Sequence, residues 1–278
     1  DCRSVAWSGI RAVARRERSR PRRVMTITGG SHGKFSVPWS QCEPHPSLSE
    51  SLIFAHMKFF IYSAFFYIST FLYSESVPPG AFSITRIHYD GGGDWYADPS
   101  SLPNMLEYLN VHTNIAVNLL EKRAKIGDNV FAESSYLYLT GHGNIKFDDE
   151  DAQILRDHLM SGAFLHADDN YGMDKSFRRE MKKVFPEKDW VELPLEHPIF
   201  NIYYEFPNGL PKIHEHDAGP PKAYGVITDG RLVLLYTHES DIGDGWEDGS
   251  VHNNPEDLRI QALKMGTNIV MYNLMGYE

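Results

Sequence analysis

Residues 83–89 alternate apolar and polar side chains, which predicts a half-buried strand. A helical pattern follows over 102–110, with Pro103 tolerated in its first turn, and the next strand is predicted over 115–119. Residues 136–140 form an apolar, β-prone run of the kind buried on both faces of a parallel sheet. The pattern then predicts a helix over 148–161, with acids in its first turn and Gly162 beyond its end. A short buried strand over 164–167 and a basic helix over 175–184, stopped by Pro186, come next. Strands over 223–228 and 232–238 flank Asp229-Gly230, a two-residue hairpin signal. A terminal helix spans 255–274, with Asn254 as its cap and Pro255 at its first position. Strands alternating with helices predict an α/β fold whose mostly parallel central sheet closes with a C-terminal β-hairpin.

Ahead of this body, Met57-Lys58 leads into an apolar run of about 14 residues, short for a bilayer span. Ser74 and Ser76 occupy the small-residue positions of a cleavage site, and Pro78-Pro79 ends any helix. Residues 57–76 therefore read as a signal peptide that exports the protein to the periplasm or beyond, with a buried core helix or a retained anchor as the alternatives. Under this reading 1–56 is a disordered or non-native upstream extension, and 77–278 is a single α/β domain without a stable membrane span. Charge supports the division. Residues 1–56 hold eight arginines and one lysine against four acids, about +5, so the remainder carries about −15 of the formal −10. An acidic body excludes nucleic acid as its partner, because a phosphate backbone demands clustered Lys and Arg. Cys2 and Cys42 are the only cysteines, so nothing after Met57 forms a disulfide or supplies a thiolate nucleophile.

Polar clusters follow the predicted strands, where a parallel sheet opens its ligand crevice. After the first comes Asp90-Gly-Gly-Gly-Asp94-Trp95-Tyr96. It matches no phosphate-binding loop. Its carboxylates suit a cation or sugar hydroxyls and its aromatics a sugar ring, or else the glycines serve a tight turn. Gly141-His142-Gly143 sits where α/β enzymes place a reactive side chain, so His142 is a candidate base, electrophile or ligand, or a turn residue. Asp168, Asp169 and Asn170 end another strand. Two adjacent carboxylates can divide acid and base roles, and Asp169-Asn170 can equally cap the helix near Asp174. In Lys212-Ile-His214-Glu215-His216-Asp217, an extended chain points His214 and His216 to one side and Glu215 and Asp217 to the other. The two imidazoles with a carboxylate from elsewhere suit a divalent metal. The run Asp241-Ile-Gly-Asp244-Gly-Trp246-Glu247-Asp248 fails the EF-hand pattern and reads as a cation loop or a solvated acidic loop. Arg178 and Arg179 neutralise these acids or bind an anionic substrate.

From residue 83 onward the chain resembles a bacterial family known only as domain of unknown function 4159. The resemblance rests on Tyr89-Asp-Gly-Gly-Gly-Asp-Trp-Tyr96, Tyr138-Leu-Thr-Gly-His-Gly143, Phe164-Leu-His-Ala-Asp-Asp-Asn-Tyr-Gly-Met-Asp174, Pro211-Lys-Ile-His-Glu-His-Asp217 and Asp241-Ile-Gly-Asp-Gly-Trp-Glu-Asp248. It implies a flavodoxin-like, class I glutamine amidotransferase-like three-layer sandwich and export or membrane association. It implies no activity. The chain departs from the amidotransferases in lacking a cysteine after Met57, which removes their thiol chemistry.

These readings lead to a metal-assisted or acid–base hydrolase acting on carbohydrate or cell-envelope material. Asp168 or Asp169 is then the base, His142 the acid or electrophile, and His214 and His216, with Asp217, the ligands or orienters. The rival is a non-catalytic module that holds a glycan, another small molecule or a protein with Trp95, Tyr96 and Trp246.

Overall fold

In the computed structural model, which describes residues 24–28, 34–38, 77–216 and 219–276, the alternation of apolar runs and helices resolves into a seven-stranded sheet. Separately, β1 (Val24–Thr28) pairs antiparallel with β2 (Lys34–Pro38), in a stretch where no periodicity is readable. The rest of 1–56, and the segment 57–76 read as a signal peptide, lie outside the described residues.

Residues Ser76–Glu278 form one unit. Its parallel strands are β3 (Thr85–Ile87), β4 (Lys122–Ala124), β5 (Tyr136–Leu139), β6 (Phe164–Asp168) and β9 (Arg231–His238). β8 (Lys222–Thr228) runs antiparallel to β9, and the short β7 (Val191–Glu192) antiparallel to β8. The order is β4-β3-β5-β6-β9-β8-β7. Counted along the chain, the five parallel strands stand in the 2-1-3-4-5 order of flavodoxin-like sheets, whose winding reverses between β3 and β5. Asp229 and Gly230 take φ of 51° and 81°, as a tight hairpin turn requires.

Side-chain alternation splits the core. Along β5, Tyr136 and Tyr138 join one apolar cluster, and Leu137 and Leu139 the other. The first face is covered by α1 (Ser101–His112) and α7 (Glu256–Met275), through Leu102, Met105, Leu109, Ala262 and Ile269. The second is covered by α2 (Asn129–Ala132), α3 (Asp149–Met160) and α4 (Asp174–Val184), through Phe131, Leu155 and Phe177. The result is a three-layer α/β sandwich with its antiparallel hairpin near the C-terminus. A capping box between Asp148 and Asp151 starts α3, the acidic start read from the sequence. Among the described residues no helix is long and apolar enough to cross a membrane.

Two local expectations need correction. The second parallel strand is not 115–119 but β4, three residues of mixed polarity. Val117 meets Phe82 in an isolated bridge, and the backbone regains register only at Lys122. Asn254 does not cap α7. Its side chain turns instead toward His214 and the Asp244 carbonyl.

Candidate functional site

Asp168 ends β6 with its side chain fully buried. The Thr237 hydroxyl, on β9, donates to one carboxylate oxygen, and the Gly243 N–H, 2.6 Å away, donates to the other. Burial still dominates, and with the charges of Asp98 and Asp169 it pushes the Asp168 pKa up to about 7. His166 lies 3.2 Å from the same Thr237 hydroxyl. Burial lowers its pKa to about 3, so it packs as a neutral ring.

Gly243 belongs to α5 (Ile242–Trp246), a turn of helix where an acidic solvated loop was one expectation. A Cβ at Gly243 would stand 2.7 Å from the Tyr138 hydroxyl, 3.1 Å from Asp168 Oδ2 and 3.4 Å from Asp98 Oδ2. Groups from β5, β6 and the loop after β3 converge there, and only glycine leaves them room. The loop is tied down at its far end. Glu247 is buried and accepts from the Ser100 and Ser101 amides at 2.9 and 3.1 Å, at the N-terminus of α1. Trp246 is core, its Nε1 donating to the Ala262 carbonyl at 2.9 Å. It offers no ring face to a glycan, which corrects its assignment as a binding residue.

Asp98 comes from the loop after β3. Buried Arg86 donates to the Ala97 and Asp98 carbonyls at 2.7 and 3.1 Å while pairing with Glu121 at 3.0 Å. The Asn170 amide donates to Asp98 Oδ2 at 2.9 Å. Burial, then the charge of Glu247, raises the Asp98 pKa. Asp244 is raised by burial and by the charges of Asp98, Asp241 and Asp168. Asp241 is pushed up to about 8 by burial, Asp168 and Asp169, against the opposing charge of Lys212.

Histidines rim this acidic floor. His214 Nδ1 lies 2.6 Å from Asp244 Oδ2, and its Nε2 is 3.0 Å from Asn254 Oδ1. The first contact has the spacing of an ion pair, yet burial lowers the His214 pKa and raises that of Asp244. Burial thus pushes both partners of this contact toward their neutral forms. His252 ends α6 (Gly249–His252), and its pKa is lowered by burial and by His214. Its Nε2 is 3.6 Å from Asp244 Oδ1, and both atoms are buried without a hydrogen-bond partner. His216 Nε2 is 2.5 Å from Asp241 Oδ2 but out of line for a hydrogen bond. Donor atoms lie within 4.8 Å of one another in each of three sets: His214, Asp244, His252; His214, His216, Asp241; and Asp169, Asp174, His238.

The glycine run has a structural use. Gly91 and Gly92 take φ of 117° and 91°, and the Gly93 and Asp94 amides donate to the Asn144 and His142 carbonyls at 3.0 and 3.2 Å. A Cβ on Gly93 would stand 2.7 Å from the His142 carbonyl. The loops after β3 and β5 thus dock at the switch point. Asp94 accepts from the His142 amide and holds its Nδ1 at 3.1 Å, leaving the ring half exposed. Asp90 is exposed and pairs with Lys125 at 3.2 Å. Trp95 stacks on His88 at 4.1 Å, and Tyr96 is 60 % exposed.

Arg178 neither faces the 241–248 loop nor stands free for an anion. It pairs with Asp174 at 2.6 Å among the rings of Trp190, Tyr224 and Tyr236, while Arg179 pairs with Glu180. Glu215 points to solvent, and Asp217 lies outside the described residues. Asp98, His252 and His238 escape sequence reasoning, each standing outside the polar clusters singled out, and Asp174 enters it only as a helix start and the end of a family motif. One signal marks the region as special. Of six non-glycine residues with positive φ among the described residues, Asp98, Tyr171, Glu239, Asp241 and Asn253 all lie on these loops. Such strain gathers where a site over-determines the backbone.

A family model described as Domain of unknown function (DUF4159) matches residues 83–274, and the chain belongs to that family. No curated protein matches the chain.

Proposed function

We propose that this member of the family is an exported, metal-assisted hydrolase of uncharged, hydroxyl-rich material such as cell-envelope carbohydrate, with His214, His252 and Asp244 as its metal ligands. The observation that carries the reading is the 3.6 Å gap between two buried atoms that lack hydrogen-bond partners, His252 Nε2 and Asp244 Oδ1. It exceeds the usual hydrogen-bond range. It matches the edge, about 3.4 Å, of a tetrahedron of ligands some 2.1 Å from a zinc ion. Burial keeps both imidazoles neutral, with a lone pair for a metal. Two nitrogens and a carboxylate suit zinc or manganese, which would supply Lewis acidity and an acidified water.

The chain's own groups then divide the work. His216, backed by buried Asp241, is the proton acceptor, its ring centre 5.9 Å from that of His214. His142, oriented by Asp94, is the proton donor. Asp168 is bound to Thr237 and the Gly243 amide, so it positions the ligand loop instead of acting as the base first assigned to it. Tyr171, 48 % exposed and stacked on His216 at 4.5 Å, presents a ring to a sugar. The acidic body disfavours polyanionic substrates, and the segment at Met57 supports export. The binding-module alternative loses one of its three aromatic platforms with Trp246 in the core.

Equilibrium dialysis of the full chain against zinc or manganese tests the ligand set. His252→Ala and Asp244→Asn should each remove one equivalent of bound metal and the metal-dependent hydrolysis of envelope polysaccharide. Metal binding that is equal in the wild type and both variants refutes the assignment.

A further inference from the structure

We propose a second cation site, formed by Asp169, Asp174 and His238, independent of the His214–His252–Asp244 centre. Asp169 follows β6, His238 ends β9 and Asp174 opens α4, so three elements deliver one donor each. His238 Nε2 stands 3.6 Å from Asp169 Oδ2 and 3.5 Å from Asp174 Oδ1, and all three donors lie within 4.8 Å of one another. As at the first centre, these gaps are long for hydrogen bonds and fit ligands around a shared ion. The second observation is independent of that spacing. Asp169 is only 5 % exposed, and its Oδ1 is buried without a hydrogen-bond partner, as is His238 Nδ1. A buried carboxylate left this way carries a desolvation cost that a bound cation removes.

The neighbouring charges leave the site open to a cation. Asp174 Oδ1 accepts from Arg178 Nε at 2.6 Å and from the Tyr236 hydroxyl at 3.2 Å. Arg178 is itself held against Trp190, Tyr224 and Tyr236, with its carbon 5.1, 4.7 and 5.3 Å from the three ring centres. It therefore fixes Asp174 through the same oxygen that faces His238, as outer-shell partners fix metal ligands. Two carboxylates against one guanidinium leave one negative charge in excess. One imidazole nitrogen and two carboxylate oxygens suit manganese(II) or zinc.

The position gives the site a purpose. Asp169 and Asp174 stand at the two ends of a short loop that carries Asn170, bound to Asp98, and Tyr171, stacked on His216. Tyr171 and Gly172 take φ of 66° and 90°. A cation joining the loop's ends holds this strained turn, and with it the ring beside the first centre.

The test strips the full chain with chelator, dialyses it against manganese(II) and separately zinc, and counts bound metal by elemental analysis. The expected result is two equivalents in the wild type, with one lost in His238→Ala and in the near-isosteric Asp169→Asn, and the other lost in His252→Ala. Two equivalents kept in Asp169→Asn overturn the proposal. So does a wild type with one equivalent that His252→Ala removes, which leaves the first centre standing. A single equivalent removed by Asp169→Asn and kept in His252→Ala supports this site and sinks the first. The count in the wild type is informative even where a variant fails to fold.

Discussion

Replacing Asp168 by Asn tests whether the buried carboxyl cluster is protonated near neutral pH in metal-free protein. In the folded chain burial and neighbouring carboxylates push Asp168 up to about 7 from 3.8. Between those values the folded state holds a proton that the unfolded state has lost. Stability is therefore greatest at low pH, declines as pH rises through that window, and levels off above about 7. Integrated from about pH 5 to about pH 8, Asp168 alone accounts for roughly 2–3 kcal/mol. For a domain of this size that is on the order of 5–10 °C in midpoint. Asparagine fits the same place. Its carbonyl can accept from the Gly243 amide and its amide donate to the Thr237 hydroxyl, which turns to the Ala167 carbonyl 3.3 Å away. Urea unfolding in chelator, followed by tryptophan fluorescence at several pH values, reads the effect. Wild type should lose stability toward pH 8, and Asp168→Asn should lose about 2–3 kcal/mol less. Parallel pH profiles for the two proteins would show that Asp168 is ionised throughout and would sink the argument.

Metal affinity at His214, His252 and Asp244 should rise between about pH 6 and 8, because burial and Asp98 keep a proton on Asp244 that ligation must expel. Calorimetry in buffers of different ionisation enthalpy reads the released proton, and buffer-independent heats would contradict it. Gly266→Ala places a Cβ 2.7 Å from Trp246 Cζ2 and 3.0 Å from its Cε2. Overpacking there should cost about 1–3 kcal/mol in urea and weaken metal binding through α5. An unchanged midpoint would mean that the contact relaxes freely.

The architecture was largely legible because its signals are local. Periodicity marked β5, α3, β6 and α4, and Asp229-Gly230 marked the hairpin, since each depends on residues close in the chain. The failure at 115–119 has the same root. β4 is an edge strand of mixed burial, so its pairing with β3 leaves no alternation to read. Within the site, His214 and His216 were readable as a pair because extended residues two apart share a side. Asp98 and His252 stand outside the polar runs that follow the strands, so no local pattern marks them. Trp246 shows the opposite error, an aromatic among acids that folds into the core.

Sequence alone determined the layered α/β plan, the carboxylates and imidazoles at strand ends, and the absence of thiol chemistry after Met57. Only the tertiary structure decided which of those carboxylates lost their water and which imidazole each one faced. Desolvation and Coulomb energy depend on distances between residues remote in the chain, such as Asp98 and Asp244, and no local pattern encodes them.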